Sequence, residues 1–329
     1  MTENILVICE QRDGKFQKVS MELIGKARQL IEKKQGQKVV ALLMGDKIAE
    51  LAQDLVNHGA DRVVYVDNPA LKDFMTEPYT KAACAVLKSE NPDMVLVGAS
   101  SIGRDLAPRI AARLKTGLTA DCTTLEIDDE TGELLMTRPA FGGNVMATII
   151  CPDHRPQMAT VRPGVMVALE PQTKTGEIVD FDVAFETSDS NVEILETVMI
   201  AKETKDITKA NILVSGGRGI GNNFAPLKEL ADVLGGEVSA SRASVDAGIA
   251  YKDMQVGQTG KTVRPDVYFA FGISGAVQHT AGMEEATLIF AINKDATAPI
   301  FDVADVGIVG DAHKIIPKLV NRIKKEKNL

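Results

Sequence analysis

Uninterrupted apolar runs that alternate with helix-period segments constrain this chain more than any other feature of it. Residues 5–9, 39–44, 63–66 and 94–97 are such runs. Between them, residues 19–34 place Leu23, Ala27, Leu30 and Ile31 on one helical face, and residues 48–56 and 78–88 repeat that amphipathic spacing. A strand without polar alternation has no face to give to water, so it belongs in a parallel sheet covered by helices on both sides. The chain is therefore read as α/β. At 329 residues it is long enough for two domains, each with its own core.

The pattern changes over residues 119–161. Four short β-type runs, 122–127, 134–137, 145–150 and 158–161, are separated by turn signals at 128–132 and 142–144. They are predicted to form an antiparallel extension of the parallel sheet. Arg138, Arg155 and Arg162 each precede a proline, which holds their backbone extended and suits either contact with a partner subunit or an ordinary loop. Residues 192–200 alternate like an edge strand, and the polar, aperiodic segment 201–206 marks a domain boundary. The expected division is an N-terminal domain over 1–203 and a C-terminal domain over 204–329.

Composition narrows function. Thirty-seven basic residues against 45 acidic leave a formal charge of -8 with no basic stripe, and there is no tryptophan, so nucleic acid is not the expected partner. No apolar run approaches the ~20 residues that cross a bilayer, so no membrane insertion is expected. The first apolar run starts at residue 5, which leaves no room for a leader peptide and points to the cytoplasm. Cys9, Cys84, Cys122 and Cys151 lie far apart with no Cys-x-x-Cys pair. Buried thiols are expected rather than disulfides, zinc or iron-sulfur clusters.

Candidate chemistry concentrates in glycine-bearing turns that follow apolar runs. Residues 98–104 open a helix and read as its cap ahead of a phosphate site. Residues 215–221 imitate a dinucleotide fingerprint, but the third glycine would fall at Asn222, so an NAD-type turn is not supported; Arg218 still offers a charge-assisted contact to a pyrophosphate. Residues 257–262 imitate the end of a Walker-type loop. Gln255 stands where its opening glycine belongs, and Val263-Arg264-Pro265 cannot continue the required helix. What remains at Gly257, Gln258 and Thr259 is an amide, a hydroxyl and backbone N–H groups suited to the polar edge of a flat heterocycle. Residues 272–279 begin a short helix after the run 267–271, with Ser274 placed for a diphosphate and Gln278 and His279 one turn later. A lone histidine there is more often a structural side chain. Asn293 and Asp311, at successive strand ends, suit adenine and ribose.

Taken in order, S-G-G-R-G at 215–219, S-R-A-S-V-D-A-G at 241–248, M-Q-V-G-Q-T-G-K at 254–261, G-I-S-G-A-V-Q-H at 272–279, A-G-M at 281–283, A-I-N-K-D at 291–295 and A-P-I-F-D-V-A-D at 298–305 resemble the α subunits of electron transfer flavoproteins. The likeness runs the length of the chain and is densest from Asn211 onward. It implies an N-terminal α/β domain that packs on a β subunit in a heterodimer, and a Rossmann-like or flavodoxin-like C-terminal domain that holds FAD non-covalently. It implies an electron carrier rather than a stand-alone enzyme, serving an acyl-CoA dehydrogenase or similar flavoenzyme and, in some bacterial members, flavin-based bifurcation with NADH.

Carried over by motif, the resemblance implies FAD contacts from Arg218, Ser241, Arg242, Val256, Gly257, Gln258, Thr259, Ser274, Gly275, Ala276, Val277, Gln278, His279, Asn293 and Asp311. Arg242, Thr259 and His279 would lie near the isoalloxazine ring, residues 274–277 at the pyrophosphate, and Asn293 with Asp311 at the adenosine end. A guanidinium suits a ring that becomes negative on reduction, because arginine stays charged at every working pH. A unit charge ~4 Å away at an effective dielectric of ~20 contributes about 4 kcal/mol, which caps the one-electron shift near ~170 mV. Without the resemblance, the residues leave open an adenine-nucleotide-dependent enzyme or a non-redox adenine-nucleotide module that serves only in assembly.

Overall fold

Strands that lack a polar face must be covered twice, and the N-terminal apolar runs are. The computed structural model describes residues 4–32, 36–140, 145–198 and 205–327. Its first strands are β1 (Ile5–Cys9), β2 (Val39–Gly45), β3 (Arg62–Asp67) and β4 (Met94–Gly98), of which β1, β2 and β4 are buried at every position. They alternate with α1 (Lys18–Ile31), α2 (Ala52–Asn57) and α3 (Thr76–Glu90), and α4 (Ser101–Leu114) follows β4. Next come β5 (Leu118–Cys122), β6 (Thr124–Ile127), β7 (Leu134–Ala140), β8 (Val145–Ile149), β9 (Gln157–Val161) and β10 (Glu177–Asp180).

Seven of these strands form one sheet in the order β10-β3-β2-β1-β4-β9-β5, parallel throughout. Ile5 and Val7 face a core layer with Leu23 and Leu30 of α1, while Leu6 and Ile8 face the opposite layer with Leu106 and Ile110 of α4. The period-two alternation of a strand thus sends successive apolar residues to two cores. Cys9, Cys84 and Cys122 are buried free thiols, and Cys151 is half-buried.

Three details differ from the sequence reading. The run 122–127 divides at Thr123: Cys122 ends β5 in the parallel sheet, whereas β6 joins β7 and β8 in a separate three-stranded antiparallel sheet. The run 158–161 is not antiparallel either; as β9 it lies between β4 and β5 and is buried from end to end, as a strand covered on both faces requires. Residues 192–198 form no strand, and Val192, Leu195 and Val198 are exposed. The edge belongs instead to β10, whose short, charged sequence suits an unpaired side.

Arg155 and Arg162 are committed within this unit, to Asp93 at 2.6 Å and Asp121 at 2.7 Å. The Arg138 Nε is buried without a hydrogen-bond partner among the described residues. A first compact unit runs to Thr197 and a second covers the chain from Val198. The turn signal at 142–144 and most of the polar segment 201–206, with the boundary set at 203/204, lie outside the described residues.

The second unit contains β11 (Ile212–Gly216), α5 (Ala225–Leu234), β12 (Glu237–Ala240), α6 (Arg242–Asp246), β13 (Val267–Phe271), α7 (Val277–Thr280), β14 (Leu288–Asn293), β15 (Val306–Val309) and α8 (Ala312–Glu326). Its parallel sheet runs β12-β11-β13-β14-β15, the 2-1-3-4-5 order of flavodoxin-like folds. Leu227, Leu230, Ile316 and Val320 of α5 and α8 cover one face of it. The other face packs Leu213, Tyr268 and Ile289 against Val256 and Ile273, which come from loops, and Ile300 of a short 3-10 turn. A face covered by loops instead of long helices is where a ligand crevice has room. Among the described residues no helix is long and apolar enough to cross a membrane.

Candidate functional site

In a 2-1-3-4-5 sheet the chain leaves β11 toward β12 and later returns to β13 on the other side of β11. The connections after β11 and β13 therefore part, and a crevice opens at the C-terminal ends of the strands. A cavity of about 750 Å3 lies there. Arg218, Ser241, Arg242, Val256, Gly257, Thr259, Ser274, Ala276, Gln278, His279 and Asn293 all border it. Gln258, Gly275, Val277 and Asp311 are not among its bordering residues.

The glycines after β11 serve a close crossing of two loops. Gly217 N–H donates to Phe271 O at 2.9 Å and Gly219 N–H to Gly272 O at 3.0 Å, so these two donors are taken. A Cβ on Gly219 would lie 2.8 Å from the Gly272 Cα, and Gly272 itself has φ +60. The failed dinucleotide fingerprint thus has a structural use, with the exposed Arg218 projecting from it. In the next loop, Gln258 N–H donates to Gln278 O at 2.7 Å, which ties residues 256–259 to the α7 segment. Gln255, which broke the Walker pattern, is buried and donates through Nε2 to Thr259 Oγ1 at 2.9 Å.

The helix expected from residue 272 starts only at Val277. Residues 272–276 form an irregular approach to it, with Gly272 at φ +60 and Gly275 at φ +84, and the backbone N–H groups of Ser274, Gly275 and Ala276 have no protein acceptor among the described residues. Gly275 is buried. Ser274 and Ala276 beside it are exposed, so the burial cost falls on Gly275 alone; three successive N–H groups without a protein acceptor still make a concavity suited to an anionic or carbonyl acceptor. Asn293 holds the same loop from behind: its Nδ2 donates to Ile273 O at 2.9 Å and its Oδ1 accepts from Asp295 N–H at 3.0 Å. Asp311 is engaged elsewhere. Its Oδ1 accepts from His313 N–H at 3.0 Å as the cap of α8, and its Oδ2 pairs with Lys294 at 3.2 Å.

His279 is buried, with Nε2 3.0 Å from the Tyr268 hydroxyl. Burial pushes its pKa down to about 4, opposed in part by the Val256 backbone, so the imidazole is neutral at pH 7. Its Nδ1 has no partner of acceptable hydrogen-bond geometry. Arg242 is exposed and pairs with Asp246 at 3.3 Å. Asp246 also borders the cavity, as do Gln255, Asp295 and Pro299, four residues absent from the sequence-derived set. Asp246 was legible as the i+4 acidic partner of Arg242. The others required the loops to be folded together.

The family description "Electron transfer flavoprotein domain" matches residues 5–186, and "Electron transfer flavoprotein FAD-binding domain" matches residues 206–284. The chain is 56% identical to an electron transfer flavoprotein subunit alpha of Thermoanaerobacterium thermosaccharolyticum over 99% of both chains. It is 46% identical to an acryloyl-CoA reductase electron transfer subunit beta of Anaerotignum propionicum, over 99% of this chain and 96% of the relative. It is 41% identical to the lactate dehydrogenase (NAD(+),ferredoxin) subunit LctC of Acetobacterium woodii, over 98% of this chain and 78% of the relative. FAD fits the cavity. The volume falls within the ~300–1,000 Å3 of ordinary cofactor sites, and unpaired donors of the 274–276 segment match the acceptors of a diphosphate.

Proposed function

Because this chain belongs to the electron transfer flavoprotein family and carries that family's FAD-binding domain, we propose that its FAD lies in the cavity at the ends of β11, β12, β13 and β14. The observation that carries this placement is the row of unpaired N–H groups at Ser274, Gly275 and Ala276, which takes the diphosphate together with the Val277 N–H and the charge of Arg218. Asn293 marks the adenosine end, and Asp311 supports it by holding Lys294 there. Ser241, Arg242, Val256, Gly257, Gln258 and Thr259 hold the ring end, with Gln278 and His279 opposite.

When bound, FAD supplies the one-electron chemistry of a carrier. The protein residues orient it and set the charge around it. Arg242 favours negative charge on the ring, and its exposure and its pairing with Asp246 reduce that effect below the ~170 mV limit. His279 stays neutral and offers a hydrogen bond rather than a charge.

The chain works as one subunit of a cytoplasmic heterodimer, its N-terminal unit docking on a β subunit. Exposed Val145, Met146 and Ile149 of β8 support such a contact. Acyl-CoA dehydrogenase-type flavoenzymes are the electron donors or acceptors. The name of the acryloyl-CoA reductase relative supports that class. The name of the NAD- and ferredoxin-linked relative favours a second reading, in which the heterodimer takes electron pairs from NADH and splits them between a low-potential acceptor and a second acceptor of higher potential.

The test is the visible spectrum of the heterodimer. A flavin absorbance assigned to this chain, lost on Gly275→Leu with the fold retained, is the expected result. Unchanged flavin content in that variant would sink the placement. Reduction of ferredoxin that requires NADH and a second acceptor separates the two readings of the partners.

A further inference from the structure

Beneath the cavity wall lies a buried polar cluster that no role above uses. Tyr268 of β13 is fully buried, and its hydroxyl meets His279 Nε2 at 3.0 Å. Ser215 of β11 and Ser239 of β12 face each other in the sheet register and are also fully buried. Neither serine Oγ has a partner of full hydrogen-bond geometry. Both nevertheless lie near enough to the phenol to oppose the upward push that burial gives its pKa. Polar side chains are not gathered under an apolar sheet face without a use, because each costs about 1–3 kcal/mol when left unpaired.

We propose that Tyr268 is a positioning residue for His279: its hydroxyl donates to Nε2, so that the imidazole keeps its proton on Nδ1 and its ring plane fixed at the cavity wall. A neutral imidazole has one donor and one acceptor nitrogen, and the hydrogen bond made by one decides the role of the other. Burial keeps both Tyr268 and His279 uncharged. The serine hydroxyls donate to the phenol oxygen, which leaves the phenol proton for Nε2. The Val256 backbone lies near the ring and favours a proton on it, although Nδ1 makes no hydrogen bond of full geometry. The chain of donors runs from Ser215 and Ser239 through Tyr268 to His279. This inference rests on the placement of FAD beside His279, but the tautomer itself does not.

The chain has four histidines, so imidazole nitrogen NMR of the labelled full chain with its partner subunit is readily assigned, with His279→Gln identifying the signal. In FAD-depleted heterodimer the expected result is the Nδ1–H form in the parent and a mixture of tautomers in Tyr268→Phe. In FAD-loaded heterodimer the same variant is expected to shift the one-electron reduction equilibrium about tenfold toward the oxidised flavin, which is ~59 mV. An Nε2–H parent overturns the proposal without need of any variant. So does Tyr268→Phe with the parent's tautomer, whereas a changed tautomer with an unchanged potential upholds the role of Tyr268 and overturns the placement of the ring beside His279. Should Tyr268→Phe not fold, Ser239→Ala is measured in its place and is expected to shift the tautomer in the same direction; an unchanged tautomer overturns the proposal. Failure of the parent to take up FAD would sink the cofactor placement and leave the tautomer result standing.

Discussion

Each of the two parallel sheets has a point where strand order reverses, and the two crevices that result have opposite fates. In the first unit the reversal lies between β1 and β4, and the crevice there is about 230 Å3. The Glu10 carboxylate occupies its polar end. It accepts from Arg12 Nε at 2.9 Å and Nη2 at 2.6 Å, and the Ser100 hydroxyl donates to it. Ser100 Oγ in turn accepts from Gly103 N–H at 3.0 Å and caps α4. An anion at a helix N-terminus is favourable, and here the chain supplies its own. In the second unit the donors at 274–276 are left without acceptors and about 750 Å3 stays open. The lesson is that strand order makes a crevice, but the first side chain to reach it decides whether a ligand enters.

The largest test of this contrast is Gly272→Val. A side chain at φ +60, 2.7 Å from the Gly219 Cα, forces the crossing loops apart. A loss of about 3 kcal/mol or more in denaturant unfolding is expected, together with loss of FAD. An unchanged unfolding midpoint would show that the loop crossing does not shape the cavity.

Next in size is the pH response of His279. Its folded pKa, about 4, lies below the ordinary 6.5, so the unfolded chain binds the extra proton. The contribution is therefore complete above pH 6.5 and is lost as pH falls from there toward 4. FAD-free parent should lose about 2 kcal/mol relative to His279→Gln between pH 7 and pH 5. Parallel stability curves for the two proteins would remove the buried, neutral histidine from the account.

Asn293→Ala, which frees the 273 loop, is expected to raise the FAD dissociation constant about tenfold, or ~1.4 kcal/mol. An equal affinity would leave the adenosine end unassigned. In the first unit, Glu10→Gln should cost about 1 kcal/mol of stability and leave FAD affinity alone. A change in FAD affinity would mean that the two crevices are coupled. The smallest effect is Arg242→Ala: FAD should remain bound while its potential falls by ~30 mV, the scale of an exposed charge. No shift in potentiometric titration would refute the electrostatic role.

Much of this molecule was legible from residue order, for reasons that differ by region. Runs such as 5–9 and 39–44 announce doubly covered strands because nothing in them tolerates water. The cap at Ser100 was legible because a Ser before a helix has one obvious local use. Gly257, Thr259, Ser274 and His279 were found through motifs, and all but the motif members Gln258, Gly275 and Val277, with Asp311, border the cavity. The register of residues 158–161 was not legible. An apolar run of that length pairs equally well in either direction until its neighbours are in place.

The amino-acid order alone determined that there would be two parallel sheets, which turns would stand at their strand ends, and which family the chain would join, since all three follow from local pattern and short-range chemistry. The tertiary structure decided which crevice remains open, that Asp311 pairs with Lys294 instead of bordering it, and that Tyr268 meets His279 from 11 residues away. Those outcomes depend on which side chain arrives first at a shared space, and no segment of the chain carries that information by itself.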